Sequence, residues 1–248
     1  MTPNIKTGTK RIGLVTGANK GIGYEVARQL AASGCTVLMG ARSKVLGVDA
    51  TSKLAAEHRD VHYVPIDLYD SATISAAASK IESDFGHLDI LVNNAGIAVD
   101  GDGLPSVSSL DAIERDIRVN FIGTVAVTQA MLPLLRKAPS ARVVNVSSGL
   151  GSLTKTSDPA FQFVGYKYLG YAASKAALNM LTVQLAYELR DTTIKVNSAA
   201  PGYTATDMNE HRGTQTVAEG AVAIVRLALL PDDGPSGAFF DKNGSVPW

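Results

Sequence analysis

The chain has 248 residues, of which 46% are hydrophobic and 19% charged, and its 23 basic side chains balance its 23 acidic ones. This composition is typical of a globular protein with a sizeable core and excludes a disordered chain. Because no net charge attracts phosphate backbones or an anionic lipid surface, we expect neither a nucleic-acid partner nor a membrane.

The sequence also predicts a cytoplasmic protein without a metal site. No run reaches the roughly 20 apolar residues that cross a bilayer. Residues 1–10 lack the apolar core of a signal peptide and are expected to be a short flexible arm. The single cysteine, Cys35, excludes an internal disulfide and fits a reducing compartment. The four histidines show no spacing typical of zinc ligands.

Short apolar runs of strand length alternate with longer amphipathic stretches along the whole chain. Several of the short runs are continuously apolar, which is typical of a parallel sheet covered on both faces. Strands are predicted at residues 12–15, 36–39, 61–66, 90–92, 142–146, 193–197 and 238–240.

The stretches between the strands have the periodicity and the end signals of helices. Alternation of strands with crossover helices predicts a single α/β domain over residues 1–248, a doubly wound parallel sheet with helices on both faces. The longest irregular piece is expected at residues 149–165. Helices are predicted at residues 22–32, 48–58, 71–85, 109–137, 170–190 and 216–230.

The first strand leads into a glycine-rich turn that contains Gly17, Gly21 and Gly23. Glycines let a backbone approach a pyrophosphate closely, and the following helix would direct its N-terminus at the negative charge. The turn opens the first βαβ unit, which is the context that a dinucleotide site requires. An ordinary βα turn is the alternative interpretation.

The spacing of these glycines, G-x-x-x-G-x-G, resembles the TGxxxGxG signature of the short-chain dehydrogenase/reductase family. The resemblance covers nearly the whole chain and implies a Rossmann-type fold with strand order 3-2-1-4-5-6-7. Five further family features follow in the same order, namely NNAG at 93–96, Asn120, VVNVSS at 143–148, YxxxK at Tyr171 and Lys175, and PG at 201–202.

The resemblance implies a nicotinamide cofactor, and two basic residues favour NADP(H). Arg42 follows the second strand, where a carboxylate would instead bind the ribose 2′-hydroxyl of NAD. Lys20 adds a second cation in the glycine turn. Both side chains suit a dianionic 2′-phosphate, since each gives charge-assisted hydrogen bonds. The alternative is that both are solvated surface charges.

Other cofactor contacts are implied by the resemblance alone. Asp67 is expected at the adenine amino group, unless it is a simple turn or helix-cap aspartate, and Asn93 is expected beside the adenosine. Thr206 resembles the family threonine near the carboxamide. The predicted cofactor-binding residues are Gly17, Asn19, Lys20, Gly21, Ile22, Gly23, Arg42, Asp67, Leu68, Asn93, Ala95, Gly96, Tyr171, Lys175, Pro201, Gly202, Thr204 and Thr206.

Tyr171 and Lys175 are the predicted catalytic pair, because four-residue spacing places both side chains on one face of a helix. A free tyrosine, with a pKa of about 10, is a poor acid–base catalyst near neutrality. A nearby ammonium is expected to lower that pKa and make the phenol a useful proton donor. An isolated Y-x-x-x-K is common on helix surfaces, so this interpretation depends on the other motifs.

The resemblance implies roles for three more catalytic groups. Ser148 would donate a hydrogen bond to the substrate carbonyl, whereas Ser147 would be oriented elsewhere. Lys175 would also bind the nicotinamide ribose. Asn120 would bind a water that relays protons to Lys175; alternatively, it is a satisfied asparagine in a helix kink.

The segment between Ser148 and Tyr171 is longer than in bacterial fatty-acid-synthesis reductases of the family, and carbonyl reductases have a still longer insertion there. The chain therefore resembles the carbonyl reductase branch, which implies reduction of a small to medium ketone, aldehyde or quinone, or oxidation of the alcohol. Four aromatic residues in this segment would form an active-site wall or merely pack the loop: Phe161, Phe163, Tyr166 and Tyr168.

The activity and the oligomeric state stay open at this point. A 3-oxoacyl-carrier-protein or steroid reductase would use the same scaffold. A redox sensor that binds NADP(H) without turnover is a third possibility, although such proteins usually lack the tyrosine or the lysine. The family resemblance favours a homo-oligomer, a dimer or a tetramer, but a monomer is not excluded.

Overall fold

The sheet is built from the apolar runs identified in the sequence. The computed structural model describes residues 10–163 and 165–248. Of the predicted arm at 1–10, all but Lys10 lies outside the described residues, and Lys10 Nζ lies 3.0 Å from Asp60 Oδ2. In the described part, eight strands form one sheet: β1 (Ile12–Thr16), β2 (Thr36–Ala41), β3 (Val61–Pro65), β4 (Ile90–Asn93), β5 (Arg142–Val146), β6 (Lys195–Ala199), β7 (Phe239–Asp241) and β8 (Gly244–Ser245).

The strand order is β3-β2-β1-β4-β5-β6-β7-β8, which confirms the predicted order and adds one strand. The pairs from β3 through to β7 are parallel, whereas β8 runs antiparallel to β7. The order reverses between β1 and β4. In doubly wound sheets a crevice opens at that point, beyond the carboxyl ends of the strands.

Helices connect the strands and cover both faces of the sheet. A 3₁₀ turn, Gly149–Gly151, precedes a short helix in the segment that was expected to be irregular. The helices are α1 (Gly21–Ala32), α2 (Lys44–Ala56), α3 (Ser71–Phe85), α4 (Leu110–Ile117), α5 (Thr124–Leu135), α6 (Leu153–Ser157), α7 (Leu169–Glu188) and α8 (Val217–Ala228).

Two apolar cores lie on opposite faces of the sheet. Neighbouring residues of one strand alternate between them, with Leu14 in the core that includes α3 and α5, and Val15 in the core that includes α1 and α8. Every residue of β1 and β2 is buried. Burial on both faces explains why these strands are continuously apolar in sequence.

The stretch predicted as one helix at 109–137 is not a uniform α-helix. A π-helical turn, Arg118–Gly123, joins α4 to α5 and contains Asn120. Helical residues lie on both sides of this turn, so the sequence pattern predicts one continuous helix. Length and composition would let Leu110–Leu135 cross a membrane. In the fold, however, its residues Val127 and Met131 are fully buried in a core, as in a core helix.

Candidate active site

A cleft of about 1170 Å³ lies beyond the carboxyl ends of the strands, where the strand order reverses. This volume exceeds the roughly 300–1,000 Å³ of pockets for drug-sized ligands, so it has room for a dinucleotide and a substrate. The predicted residues that line it are Gly17, Asn19, Lys20, Gly21, Ile22, Gly23, Arg42, Asp67, Leu68, Ala95, Gly96, Ser148, Tyr171, Lys175, Pro201, Gly202, Thr204 and Thr206.

The glycine turn is shaped by contacts that only glycine permits. Gly17 has φ +65°, and a Cβ at Gly23 would collide with the Gly17 carbonyl and the Asn94 side chain. Asn94 holds the turn, since its Nδ2 donates to the carbonyl oxygens of Thr16 at 2.9 Å and Gly17 at 3.3 Å. Asn94 belongs to the NNAG motif, but the sequence alone does not indicate this role. In the described structure the residue before α1, Lys20, makes no side-chain cap, so the first N–H groups of the helix suit an anion.

The two basic residues of the cleft differ in their surroundings. Arg42 follows β2, is exposed and makes no ion pair with any residue of 10–163 or 165–248. Lys20 Nζ instead lies 2.6 Å from Asp207 Oδ2, and both side chains are more than half exposed. This ion pair connects the glycine turn to the segment after β6, a contact that sequence reasoning did not reveal.

Asp67 and Asn93 occupy different environments. Asp67 lines the cleft, and its Oδ1 accepts a hydrogen bond from the backbone N–H of Tyr69 at 3.0 Å. The structure does not bring the Asn93 side chain to the cleft. It is buried, and its Nδ2 donates to Thr128 Oγ1 at 3.0 Å and Asn145 Oδ1 at 2.9 Å. Asn93 ends β4 with its side chain under the sheet, so the next residue faces the cleft instead.

The structure brings Ser148, Tyr171 and Lys175 together at one wall of the cleft. Tyr171 lies in the first turn of α7, close enough to the Ser148 hydroxyl for that group to lower the pKa of its phenol. Lys175 Nζ lies 5.7 Å from the centre of the Tyr171 ring and donates to the Val146 carbonyl oxygen at 2.9 Å. An ammonium has three donors, so two remain for a ligand. The neighbouring Ser147 is turned away, because its Oγ bonds the Lys175 backbone carbonyl.

The protonation of this pair differs from the expectation. Burial raises the pKa of Tyr171 to about 12; the neighbouring Ser148 hydroxyl opposes this rise and the Asp116 carboxylate adds to it. Burial also lowers the pKa of Lys175 to about 8, against the attraction of Asp116. The pKa of Tyr171 is therefore shifted upward, opposite to the predicted lowering. Removal of the phenolate from water is the dominant effect here.

Asp116 is a third ionisable group beside the pair, and sequence reasoning missed it. It is fully buried in α4, and neither of its oxygens has a well-formed hydrogen bond. Burial and the nearby Asp102 charge raise its pKa to about 6, although Lys175 favours the ionised form. In the sequence, the one unusual feature of Asp116 is that a charged residue stands on the apolar side of the predicted helix. That pattern alone does not identify a carboxylate with a shifted pKa.

Asn120 lies beneath the cleft and not in its wall. Its Oδ1 accepts from Ile97 N at 2.8 Å, and its Nδ2 donates to Ile97 O at 2.8 Å and Ser174 Oγ at 3.0 Å. These bonds satisfy the side chain and tie the segment after β4 to α7. The π-helical turn that carries it is a feature that often marks functional sites. The water-relay role stays a prediction.

The four aromatic residues before α7 both line the cleft and pack on one another. Their contacts extend to Tyr203, which lies after β6. The Phe163 ring centre is 5.7 Å from that of Tyr166 and 5.6 Å from that of Tyr203. We call these five residues the aromatic wall: Phe161, Phe163, Tyr166, Tyr168 and Tyr203.

Comparison with known proteins agrees with this geometry. The chain matches the short chain dehydrogenase family over residues 11–216. The chain belongs to this family. As a short-chain dehydrogenase it is an oxidoreductase, and it lies close to the carbonyl reductase-like members. In residues 10–163 and 165–248 of this short-chain dehydrogenase, no three His, Cys, Asp or Glu side chains are grouped as metal ligands.

Three relatives illustrate the similarity of this short-chain dehydrogenase to known proteins. It is 33% identical to (+)-neomenthol dehydrogenase from Capsicum annuum, over 95% of this chain and 96% of the relative. It is 34% identical to carbonyl reductase [NADPH] 3 from Mus musculus, over 90% and 92% respectively. The solved structure of NADPH-bound carbonyl reductase from chicken fatty liver superposes with a TM-score of 0.83 at 32% identity, covering 97% of this chain and 99% of that one.

Proposed function

We propose that this oxidoreductase uses NADP(H) to reduce small to medium ketones, aldehydes or quinones, with Tyr171 as proton donor. The observation that carries the proposal is that Ser148, Tyr171 and the buried Lys175 line the same cleft, with the Lys175 ammonium 5.7 Å from the centre of the Tyr171 ring. A carbonyl oxygen placed there accepts hydrogen bonds from both hydroxyls. The carbonyl carbon receives the hydride, and the oxygen then takes the Tyr171 proton to give the alcohol.

The protonation states of Tyr171 and Lys175 suit reduction. With a pKa of about 12, Tyr171 is protonated at neutral pH and can donate. Lys175, with a pKa of about 8, is still mostly an ammonium at pH 7. Its charge stabilises the phenolate that forms when the proton leaves, and its free donors suit ribose hydroxyls.

The cleft residues fit NADP(H). The cofactor supplies the hydride when it is bound. The glycine turn and the first turn of α1 leave backbone N–H groups for the pyrophosphate, and the exposed Arg42 guanidinium is available for a 2′-phosphate. Lys20 contributes a second cation once it leaves Asp207. Similar solved structures support this assignment, since the carbonyl reductase from chicken fatty liver is NADPH-bound and another relative is complexed with NADP.

The aromatic wall supports an apolar substrate. Its rings cover the cleft next to Ser148 and Tyr171, and only hydroxyl groups interrupt their apolar surface. A ketone with a hydrocarbon skeleton would bury apolar area against these rings. The names of relatives such as (+)-neomenthol dehydrogenase and salutaridine reductase are compatible with substrates that carry such skeletons.

One assay distinguishes the proposal from its alternatives. NADPH oxidation is followed by absorbance with a panel of cyclic and linear ketones, aldehydes, quinones and a 3-oxoacyl thioester. Turnover of a ketone, aldehyde or quinone supports the proposal, whereas a clear preference for the thioester favours the 3-oxoacyl-carrier-protein reductase. A steroid ketone in the panel tests the steroid reductase. Tight NADPH binding without turnover of any compound would indicate a redox sensor. Cytoplasmic location and oligomeric state stay predictions from the sequence.

A further inference from the structure

A carboxylate from a distant loop binds the first turn of the helix that carries Tyr171. Asp102, between β4 and α4, accepts a hydrogen bond from Gly170 N through Oδ1 and from Tyr171 N through Oδ2, each at 2.9 Å. The adjacent Gly103 carbonyl accepts from Leu169 N at 3.1 Å. Three successive N–H groups of α7 are thus bound by two residues that lie more than sixty positions earlier in the chain.

Among the described residues next to α7, no side chain performs this function. The residue before α7, Tyr168, makes no side-chain cap within the described structure. A helix begins with four N–H groups that lack partners inside the helix. An acidic oxygen is a preferred partner for them and also interacts favourably with the helix dipole. Asp102 therefore takes the place of the missing cap.

The loop holds the carboxylate firmly in this position. Asp102 Oδ1 also accepts from Ser108 Oγ at 2.7 Å and from Gly103 N at 2.9 Å. The loop is closed by a bond from Ser109 N to the Gly101 carbonyl at 2.9 Å. Burial raises the pKa of Asp102, but the N–H groups of Tyr171 and Gly170 outweigh it, so the net shift is downward and the group is anionic at neutral pH.

We propose that Asp102 is a positioning residue for Tyr171: its carboxylate fixes the first turn of α7 and thereby the phenol relative to Ser148 and Lys175. The inference rests on the proposed function, because it concerns proton donation to a carbonyl. Asp102 lines the same cleft, but four hydrogen bonds occupy its carboxylate. It therefore acts on the reaction through Tyr171 rather than by contact with the substrate.

The test compares Asp102→Ala and Asp102→Asn with a matched control, Asp70→Ala. Asp70 caps α3, with its Oδ1 2.9 Å from Ala72 N, and does not itself line the cleft. For each protein we would measure kcat and KM for a reactive ketone, the NADPH Kd, the Tm, and the kinetic isotope effect with NADPH deuterated at the transferred hydrogen. Amide hydrogen exchange would report the protection of Gly170 and Tyr171.

A displaced phenol slows the chemical step without changing cofactor binding. Asp102→Ala is expected to lower kcat by about 10- to 100-fold, since displacement of a catalytic group by an ångström has effects of this size. The isotope effect should rise, the NADPH Kd should stay within about twofold, and amide exchange at Gly170 and Tyr171 should accelerate because the capping acceptor is lost.

Asp102→Asn keeps one acceptor oxygen, so its effects should be intermediate. If Asp102→Ala does not fold, the same measurements on Asp102→Asn test the inference. Asp70→Ala should lower Tm but leave kcat and the isotope effect unchanged.

Two results would overturn the inference. One is a folded Asp102 variant with wild-type kcat, isotope effect and amide protection. The other is a loss of activity that is fully accounted for by a smaller fraction of folded protein and that leaves the isotope effect unchanged. Such a result would mean that Asp102 has a purely structural role. If the wild-type chain reduces no carbonyl compound, the proposed function is refuted instead. In that case, amide exchange at Gly170 and Tyr171 that is the same in the Asp102 variants as in the wild type would refute the contact between Asp102 and α7.

Discussion

The Lys175 ammonium lies 5.7 Å from the centre of the Tyr171 ring, one helical turn further along α7. Lys175 is buried and Tyr171 is partly buried, so the loss of water favours the neutral form of each group and moves the pKa to about 12 for the phenol and about 8 for the amine. Near pH 7 the phenol therefore keeps its proton while the ammonium keeps most of its charge. This is the arrangement that a proton donor to an alkoxide requires.

Tyr171→Phe should abolish reduction while cofactor binding persists. The ring and its packing remain, but the proton donor is lost, so kcat is expected to fall by about 100- to 10,000-fold, the usual contribution of general acid catalysis. The NADPH Kd, measured by fluorescence titration, should be unchanged. Tyr187→Phe is the matched control, because Tyr187 is on the same helix and exposed. Undiminished turnover in Tyr171→Phe would contradict the mechanism.

Arg42→Ala should weaken NADPH binding far more than NADH binding. A hydrogen bond to a charged group contributes about 1.5–3 kcal/mol, so the NADPH Kd should rise by roughly 10- to 100-fold. The NADH Kd should hardly change, since NADH lacks the 2′-phosphate. Lys44→Ala removes an exposed cation two residues away that does not line the cleft. Equal losses for both cofactors would show that Arg42 does not bind the phosphate.

Asp207→Asn should strengthen NADPH binding by about two- to fivefold, because exposed ion pairs contribute only about 0–1 kcal/mol and Lys20 is then released for the phosphate. Removal of the pair should leave the Tm nearly unchanged for the same reason. The control is Asp84→Asn, which breaks an exposed pair with Lys80 on α3. A weaker or unchanged NADPH affinity, measured at two salt concentrations, would argue against Lys20 as a phosphate ligand.

The strand order and most of the cleft lining could be predicted because their signals are local. Gly17 and Gly23 mark a turn whose backbone conformation excludes other residues, and such turns follow strands that all end at one edge of the sheet. Asn93 shows the limit. Which of two successive asparagines faces the cleft depends on the pleat at the last residue of β4, and the sequence pattern does not fix where that strand ends.

The other differences depend on packing between distant segments. Asp102 binds N–H groups 68 and 69 positions later, and its loop has no periodicity that would indicate such a contact. The direction of the Tyr171 pKa shift depends on how far the surrounding elements exclude water, which spacing along one helix cannot show. The spacing of Tyr171 and Lys175 therefore predicted their proximity, whereas their protonation had to come from the structure.

Asp116→Asn should stabilise the protein at high pH but not at low pH. The pKa of Asp116 is raised to about 6 from 3.8, so the folded chain holds this proton more tightly than the unfolded chain does. The folded state therefore loses stability as pH rises from about 4 to 6, and the full loss applies above pH 6. A shift of roughly two pKa units corresponds to about 3 kcal/mol, which is an upper limit for the gain on substitution.

Urea unfolding at pH 4.5 and pH 8 measures this difference in the free energy of unfolding. The gain at pH 8 should fall short of the limit, because the Lys175 ammonium loses the attraction of the Asp116 carboxylate. Asp111→Asn on the same helix changes an exposed carboxylate and should show no comparable pH-dependent gain. An Asp116→Asn variant that is less stable than the wild type at pH 8, or equally shifted at both pH values, would mean that the carboxylate is solvated or paired in the folded protein.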